Sequence, residues 1–383
     1  MREKIFKYID EHRQEMLTFW KKLVSIESGT LFKEDVDRAR DFLVKAFTDI
    51  GGTVTSYPYE KAGDLLVVDF SMGSTAAPII FSGHYDTVFR HGTIEERPFV
   101  IKDDGRAYGP GVLDMKAGIT MLYFIVRALQ AIDYRAHPIR VVLAGDEETG
   151  HQSSTAERDF SEAVKGACAA FNFETGYMDD GFVTGRKGGG RAYFTVKGVG
   201  AHAGNEPEKG RSAILEMAHK IIAIQANNDF EAGLTYNCGV VQGGTVPNAV
   251  PEEAKLVVDV RFKRLDQVER ARRELEAVAA TTYVEGTMTE MKFDVIMSSM
   301  ETTDGVVALF RKLEETANEI GFGPIYQKYV GGGADSAYEV KMGVPTVCAV
   351  GVAGGKNHSV DEFAVVDTLF SRAKLVAATV LKI

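Results

Sequence analysis

The sequence predicts an α/β protein of two domains, in which a layered domain of helices and strands is interrupted by a β-α-β-β-α-β insert. Three observations predict it. Helical and strand-like patterns alternate through the first 175 or so residues, the texture changes after Glu174, and the closing segment resumes the first texture. A chain of 383 residues is also longer than one core usually serves. The expected boundaries are residues 1–187 and 299–383 for the interrupted domain and 188–298 for the insert.

Residues 3–24 space Ile5, Tyr8, Ile9, Met16, Phe19, Leu23 and Val24 with helical periodicity and charges between them, as a folded first helix does and a signal peptide does not. Helices are expected at 36–50, 115–131 and 155–165, and strands at 53–58, 64–70, 78–83, 138–144 and 168–173. The insert opens with RAYFTVKGV. It continues through a helix SAILEMAHKIIAIQA, strands near LTYNCGVVQGG and AKLVVDVRF, a helix QVERARRELEAVAATTY and a strand MKFDVIM, the ferredoxin-like order. The return carries a helix VVALFRKLEETANEI, a loop YVGGGADSAY, a strand TVCAVGV, a loop AGGKNHSVDE and a final helix.

Composition excludes several classes. With 45% hydrophobic and 26% charged residues the chain is of globular type. A net charge of −10 without any Lys/Arg tract interleaved with aromatics argues against a nucleic-acid partner. The most apolar stretch, GITMLYFIVRALQAI, is about fifteen residues long and carries Arg127, too short for a membrane span. Cys168, Cys238 and Cys348 are far apart with no CxxC, so buried free thiols in a cytoplasmic protein are expected rather than disulfides or a thiolate metal site.

The chemistry-bearing residues are His84, Asp114, Glu147, Glu148, Glu174 and, far downstream, His358. Four of their segments end a hydrophobic run in polar residues: IIFSGHYDT, AYGPGVLDMKAG, RVVLAGDEETG and AAFNFETG. Strand ends of open sheets converge on one crevice, so distant segments can build one centre there. Oxygen and imidazole donors without thiolate suit zinc, with cobalt or manganese as alternatives. Asp86, two residues after His84, is placed to hold that imidazole. Asp114, in a Gly-rich turn, either bridges two ions or caps the following helix. Glu147 and Glu148 are adjacent, and in extended backbone their side chains diverge, so one ligates and the other acts as base. Glu174 meets a cation or caps a loop. His358 is a ligand or an exposed loop histidine, with Asp361 or Glu362 either orienting it or lying on the surface.

GHYDTV, GPGVLDMKAG, DEETG and NHSVDE, in that order and separated by a ferredoxin-like unit, resemble the zinc metallopeptidase family of aminoacylases, glutamate carboxypeptidases, acetylornithine deacetylases and succinyl-diaminopimelate desuccinylases. The stretch from HYDTV through ERPFVIKDDGRAYGPG is most similar to the bacterial folate-cleaving glutamate carboxypeptidases. The resemblance implies a zinc-peptidase-like domain with a mixed sheet flanked by helices and an inserted lid and dimerisation domain. It implies two Zn2+ per subunit, one held by His84 and Glu174, the other by Glu148 and His358, and both by Asp114, with Glu147 as general base and Asp86 behind His84. It further implies that His202, in GVGAHAGNEPEKG, reaches the active site of a neighbouring subunit in a homodimer, and that Asn248 and Arg261 hold the substrate. A turn residue and a strand ion-pair partner are the structural alternatives for those two. The loop with Gly332 and Gly333 lacks the lysine of a phosphate-binding loop and suits close approach of a substrate carboxylate. The family commonly carries Pro after the carboxylate that Glu174 supplies, where this chain has Thr175.

The expected activity is hydrolysis of the amide bond of a peptidyl or N-acyl amino acid with a free carboxylate. The alternatives are an N-acyl-amino-acid deacylase, a di- or tripeptidase and, more remotely, a non-catalytic amino-acid-binding regulatory dimer.

Overall fold

The computed structural model describes residues 1–383 and divides them into two compact units. One comprises Met1–Gly185, Glu301–Val330 and Ala334–Ile383; the other comprises Arg186–Met300 with Gly331–Gly333.

The first unit is built on a six-stranded mixed sheet. In spatial order its strands are Thr53–Tyr57, Gly63–Phe70, Ile139–Gly145, Ile79–His84, Ala169–Asn172 and Thr346–Val347. The first two pairings are antiparallel and the rest parallel. The central strand Ile79–His84 is buried throughout, which is why it reads as an apolar run rather than an alternation. Helix Lys116–Ala131, apolar nearly all round, packs against this sheet and is itself covered by helices Arg13–Val24 and Val366–Val380. Gly118 lets it approach, since a Cβ there would lie 2.1 Å from the Phe173 carbonyl oxygen. Directly below the strand ends, Phe81 packs edge-on to Phe171 and Phe173 with ring centroids 6.3 and 5.2 Å away, contacts worth about 0.5–1.5 kcal/mol each beyond burial. No helix is long and apolar enough to cross a membrane.

Three expectations change in detail. The helix expected over 3–24 is two helices, Arg2–Glu11 and Arg13–Val24, broken at His12, whose ring stacks on Tyr8 and whose Nδ1 bonds the Tyr8 carbonyl. The strand read over 346–352 joins the six-stranded sheet only at Thr346–Val347, with Cys348 bridging antiparallel to Val183, because Ala349 takes a left-handed backbone conformation that ends the extended run. The segment around Tyr338, expected as loop, holds a short helix Ser336–Lys341.

The second unit is a four-stranded antiparallel sheet in the order Thr235–Gly243, Glu253–Phe262, Gly188–Lys197, Met288–Met297. With helices Ala213–Ala226 and Asp266–Ala280 it forms the expected ferredoxin-like arrangement. Strand Glu253–Phe262 alternates buried residues with half-buried or exposed ones, Ala254, Leu256, Val258, Val260 and Phe262 facing its core. A buried Lys220–Glu216 pair ties the last turn of helix Asp266–Ala280 and the residues after it to helix Ala213–Ala226. Lys220 donates to the carbonyls of Val278, Ala279 and Thr281, and Glu216 accepts from the amides of Tyr283 and Val284.

Candidate metal centre

The parallel register pairs His84 with Ala144 and Ser82 with Asn172, so the strands carrying His84, Glu147–Glu148 and Glu174 all end at one edge of the sheet. There the structure brings five side chains into two groups that share a member. His84 Nε2 lies 3.2 Å from Asp114 Oδ1 and 3.4 Å from Glu174 Oε1. His358 Nε2 lies 3.2 Å from Asp114 Oδ2 and 3.2 Å from Glu148 Oε2. In each group the donor atoms all lie within 4.8 Å of one another. A proton between an imidazole and two carboxylates satisfies one of them, whereas a divalent cation satisfies both. The donors fit such an ion: His84, Asp114 and Glu174 are buried, and Glu148 Oε1 is buried with no hydrogen-bond partner in the protein.

Each donor is held by its surroundings. Asp114 does not cap the following helix, which makes no side-chain cap bond; its carboxylate faces the two histidines and accepts from Asn357 Nδ2 at 3.1 Å. Its loop is fixed by Glu362, whose buried carboxylate accepts from the amides of Gly111, Leu113 and Asp114 at 3.1, 2.8 and 3.0 Å. Glu362 therefore acts on the Asp114 loop rather than on His358. Trp20 holds the same loop from below through Nε1 and the Val112 carbonyl, 3.0 Å apart.

Asp86 has two jobs, of which the sequence pattern suggests one. It faces His84 Nδ1 through its backbone oxygen at 3.1 Å and its Oδ1 at 3.3 Å, and its carboxylate also accepts the amides of Glu147 and Glu148 at 3.2 and 3.1 Å. Those bonds curl Glu147–Thr149 into a 3₁₀ turn, so the pair is not extended as the sequence suggests. The two carboxylates still take different places: Glu148 joins the His358 group, while Glu147 belongs to neither. Burial, with Glu174, Asp335 and Glu148 nearby, pushes the Glu147 carboxyl well above the usual range against the opposing pull of His84.

Burial pulls the His84 imidazole down, but its bonds to Asp114, Asp86 and Glu174 outweigh this and raise it well above its ordinary value. Bonds to Asp114 and Glu148 push His358 up to about 10. Both imidazoles thus hold their protons at neutral pH in the metal-free protein, and ligation must displace them, so metal affinity rises with pH. Zinc binding at pH 7 is expected to release protons, measured by titration calorimetry in two buffers of different ionisation enthalpy. A buffer-independent heat would contradict this.

The remaining candidate residues lie in the second unit. His202 pairs with Ala249 across a short two-stranded ribbon, and Ala203 donates to the Asn248 carbonyl at 2.9 Å, so His202 and Asn248 line one groove. The amides of Gly204 and Asn205 donate to His202 Nδ1 at 3.1 Å each, which leaves the proton of the neutral ring on Nε2 as a free donor. Arg261 sits at the far end of strand Glu253–Phe262, opposite Gly189, and pairs with Asp259 at 2.8 Å. The carbonyls of Gly332 and Gly333 accept from Arg186 Nη1 at 3.1 and 3.2 Å. Sequence reasoning missed Asn357, the role of Glu362, and a buried imidazole at His151 between Asp146 and Asp335, because Asp114, its loop and Asp335 are distant in sequence from the residues they meet and no local spacing marks them.

Comparison with known proteins gives consistent findings. A peptidase dimerisation domain model (M20) matches residues 184–287, and a model of peptidase family M28 matches residues 66–220. Carboxypeptidase G2 of a Pseudomonas species is 28% identical over 391 residues, covering 97% of this chain and 91% of its own. Acetylornithine deacetylase of Salmonella arizonae is 27% identical over 267 residues, 64% of this chain and 67% of its own. Among solved structures, aminopeptidase PepT of Bacillus cereus superimposes with a TM-score of 0.79 at 24% identity, over 96% of this chain and 97% of that one. An M20 family metallo-carboxypeptidase of Sulfolobus solfataricus gives 0.73 at 14%, over 95% and 98%.

Proposed function

Because this chain matches the M20 peptidase dimerisation domain and is similar over nearly its whole length to carboxypeptidase G2, we propose that it is a two-metal amidohydrolase of the M20 metallopeptidase kind, cleaving a peptidyl or N-acyl amino acid on the amino side of a residue with a free carboxylate, in the manner of a glutamate carboxypeptidase. The observation that carries the reading is the pair of donor groups joined through Asp114, with Glu147 beside them and outside both. His84, Asp114 and Glu174 would hold one ion and Asp114, Glu148 and His358 the other, zinc being the ion expected for this oxygen and nitrogen set. Bound there, the ions supply polarisation of the scissile carbonyl and a lowered pKa for the attacking water.

The chain's own groups do the rest. Glu147 takes the proton of the attacking water and passes it to the amine as that group leaves. His202, with its proton on Nε2, donates to the carbonyl oxygen as negative charge develops there. Arg261 and the Gly332–Gly333 backbone receive the substrate carboxylate, and Asn248 the carbonyl.

These groups favour a site completed by two chains. Arg261 and the His202–Asn248 groove lie at opposite ends of strand Glu253–Phe262, separated by ~26 Å at a rise of about 3.3 Å per residue. One chain's copies of both cannot grip one small substrate, whereas a homodimer can supply them from different subunits. The surface suits such pairing: edge strand Thr235–Gly243 exposes Val240 and Val241, and helix Ala213–Ala226 exposes Ile214, Leu215 and Ile222, the last to 69%.

The test is zinc-supplemented hydrolysis of C-terminal-glutamate peptides, N-acetyl amino acids, dipeptides and tripeptides. Preference for the first supports the carboxypeptidase reading, preference for N-acetyl substrates would move the chain to the deacylases, and cleavage of none would overturn the reading. Site sharing is tested by mixing. His202→Ala and Glu147→Gln are each expected to be nearly inactive, and refolding them together should restore activity through heterodimers carrying one intact site. Absence of recovery would place His202 in its own chain's site.

A further inference from the structure

The loop that carries Glu147 and Glu148 is bounded by a buried arrangement that the proposed chemistry does not use. The His151 side chain is 2% exposed, its backbone φ is 58°, and its two ring nitrogens face two different carboxylates. Nδ1 lies 2.7 Å from Asp146 Oδ1 and Nε2 lies 2.7 Å from Asp335 Oδ1. Asp146 immediately precedes the Glu147–Thr149 turn and also accepts from Ser154 Oγ at 2.6 Å. Asp335 belongs to another segment, 184 residues from His151, and its Oδ2 is buried with no donor in the protein. A neutral imidazole carries one N–H, so the two contacts need a second proton, either on the ring or on Asp335, whose carboxyl burial pushes up against the opposing pull of His151; a ring set between two acids favours the first arrangement, with charge-assisted bonds on both sides. Burial pulls this imidazole down, yet Asp335 and Asp146 outweigh it and hold the ring well above its ordinary value.

We propose that His151 is a positioning residue: by bridging Asp146 and Asp335 it locks the turn that presents Glu147 and Glu148. The inference rests on the reading of Glu147 as base and Glu148 as ligand. The left-handed backbone at His151 and the Gly150 beside it, φ 63°, bend the chain back so that the ring returns beneath the turn it follows. The turn is then held at both sides, by Asp86 through the amides of Glu147 and Glu148 and by His151 through the preceding aspartate. Displacement of a catalytic group by about 1 Å costs on the order of 100-fold in rate, so a clamp of this kind acts on kcat without touching substrate.

The experiment uses the full-length, zinc-loaded protein and the panel substrate that the wild type cleaves fastest. His151→Gly accepts the positive φ and leaves a cavity the size of the ring. It is expected to bind as much zinc as the wild type, to lose about 100-fold in kcat with KM changed much less, and to regain kcat on addition of imidazole, which does not accelerate the wild type. His151→Gln, which donates to one carboxylate and fills the space, is expected to retain an intermediate kcat and serves if the glycine variant does not fold. A kcat equal to wild type in a folded variant overturns the proposal, as does a loss that follows zinc content and ignores imidazole. Nitrogen NMR of the metal-free wild type needs no substrate: both ring nitrogens of His151 should be protonated at mildly alkaline pH, and a singly protonated ring would overturn the bridge. Failure of the hydrolase reading is therefore seen separately from failure of the clamp.

Discussion

Glu147→Gln is expected to lower kcat by about 10³-fold while the protein keeps its fold and its full metal content, because general acid–base catalysis contributes about 10²–10⁴-fold. The amide is nearly the shape of the carboxylate, and Glu147 lies outside both donor groups, so nothing that holds an ion is removed. Its backbone amide, bonded to Asp86, is unaffected, and the turn keeps its place. What is lost is the ability to accept a proton from water and return it to the leaving amine. Steady-state kinetics beside metal analysis checks this. A loss of zinc parallel to the loss of rate would make Glu147 a ligand, and a rate within tenfold of wild type would remove it from the proton path.

Asp114→Ala is expected to have the opposite signature, with metal lost first. Asp114 offers Oδ1 to the His84 group and Oδ2 to the His358 group, so its removal strips one donor from each. It also leaves His84 and His358 without the partner that most strengthens their hold on a proton. Zinc content is expected to fall from two ions per chain to fewer than one, with activity lost, whereas His358→Ala, which touches one group only, should retain about one ion. Equal residual zinc in the two variants, measured after gel filtration, would contradict the bridging role.

Much of this centre was legible because its residues stand where hydrophobic runs stop. A strand end facing a crevice announces itself as an apolar run followed by a carboxylate or imidazole, and His84, Glu148 and Glu174 all have that form. The second unit was legible from the order of its patterns, β-α-β-β-α-β, and the structure gives its strand Glu253–Phe262 one buried face. The choice between bridging and helix capping for Asp114 could not be made from its own neighbours. Both need a carboxylate before a helix, and the structure adds that His84 and His358 face Asp114 from either side while the helix makes no side-chain cap bond.

The sequence by itself determined the composition of the site, the two-domain α/β plan and the residue types that favour a divalent cation, because these depend on local periodicity and on side-chain chemistry. Tertiary structure decided which donors come together, since that depends on the parallel register that aligns three strand ends at one edge. It also decided that Glu362 serves the Asp114 loop and not the histidine four residues before it, and that His151 joins two segments 184 residues apart. Buried carboxylates and imidazoles must find partners to offset the cost of leaving water, and those partners come from whichever segments the fold brings near. Sequence spacing carries no record of that meeting.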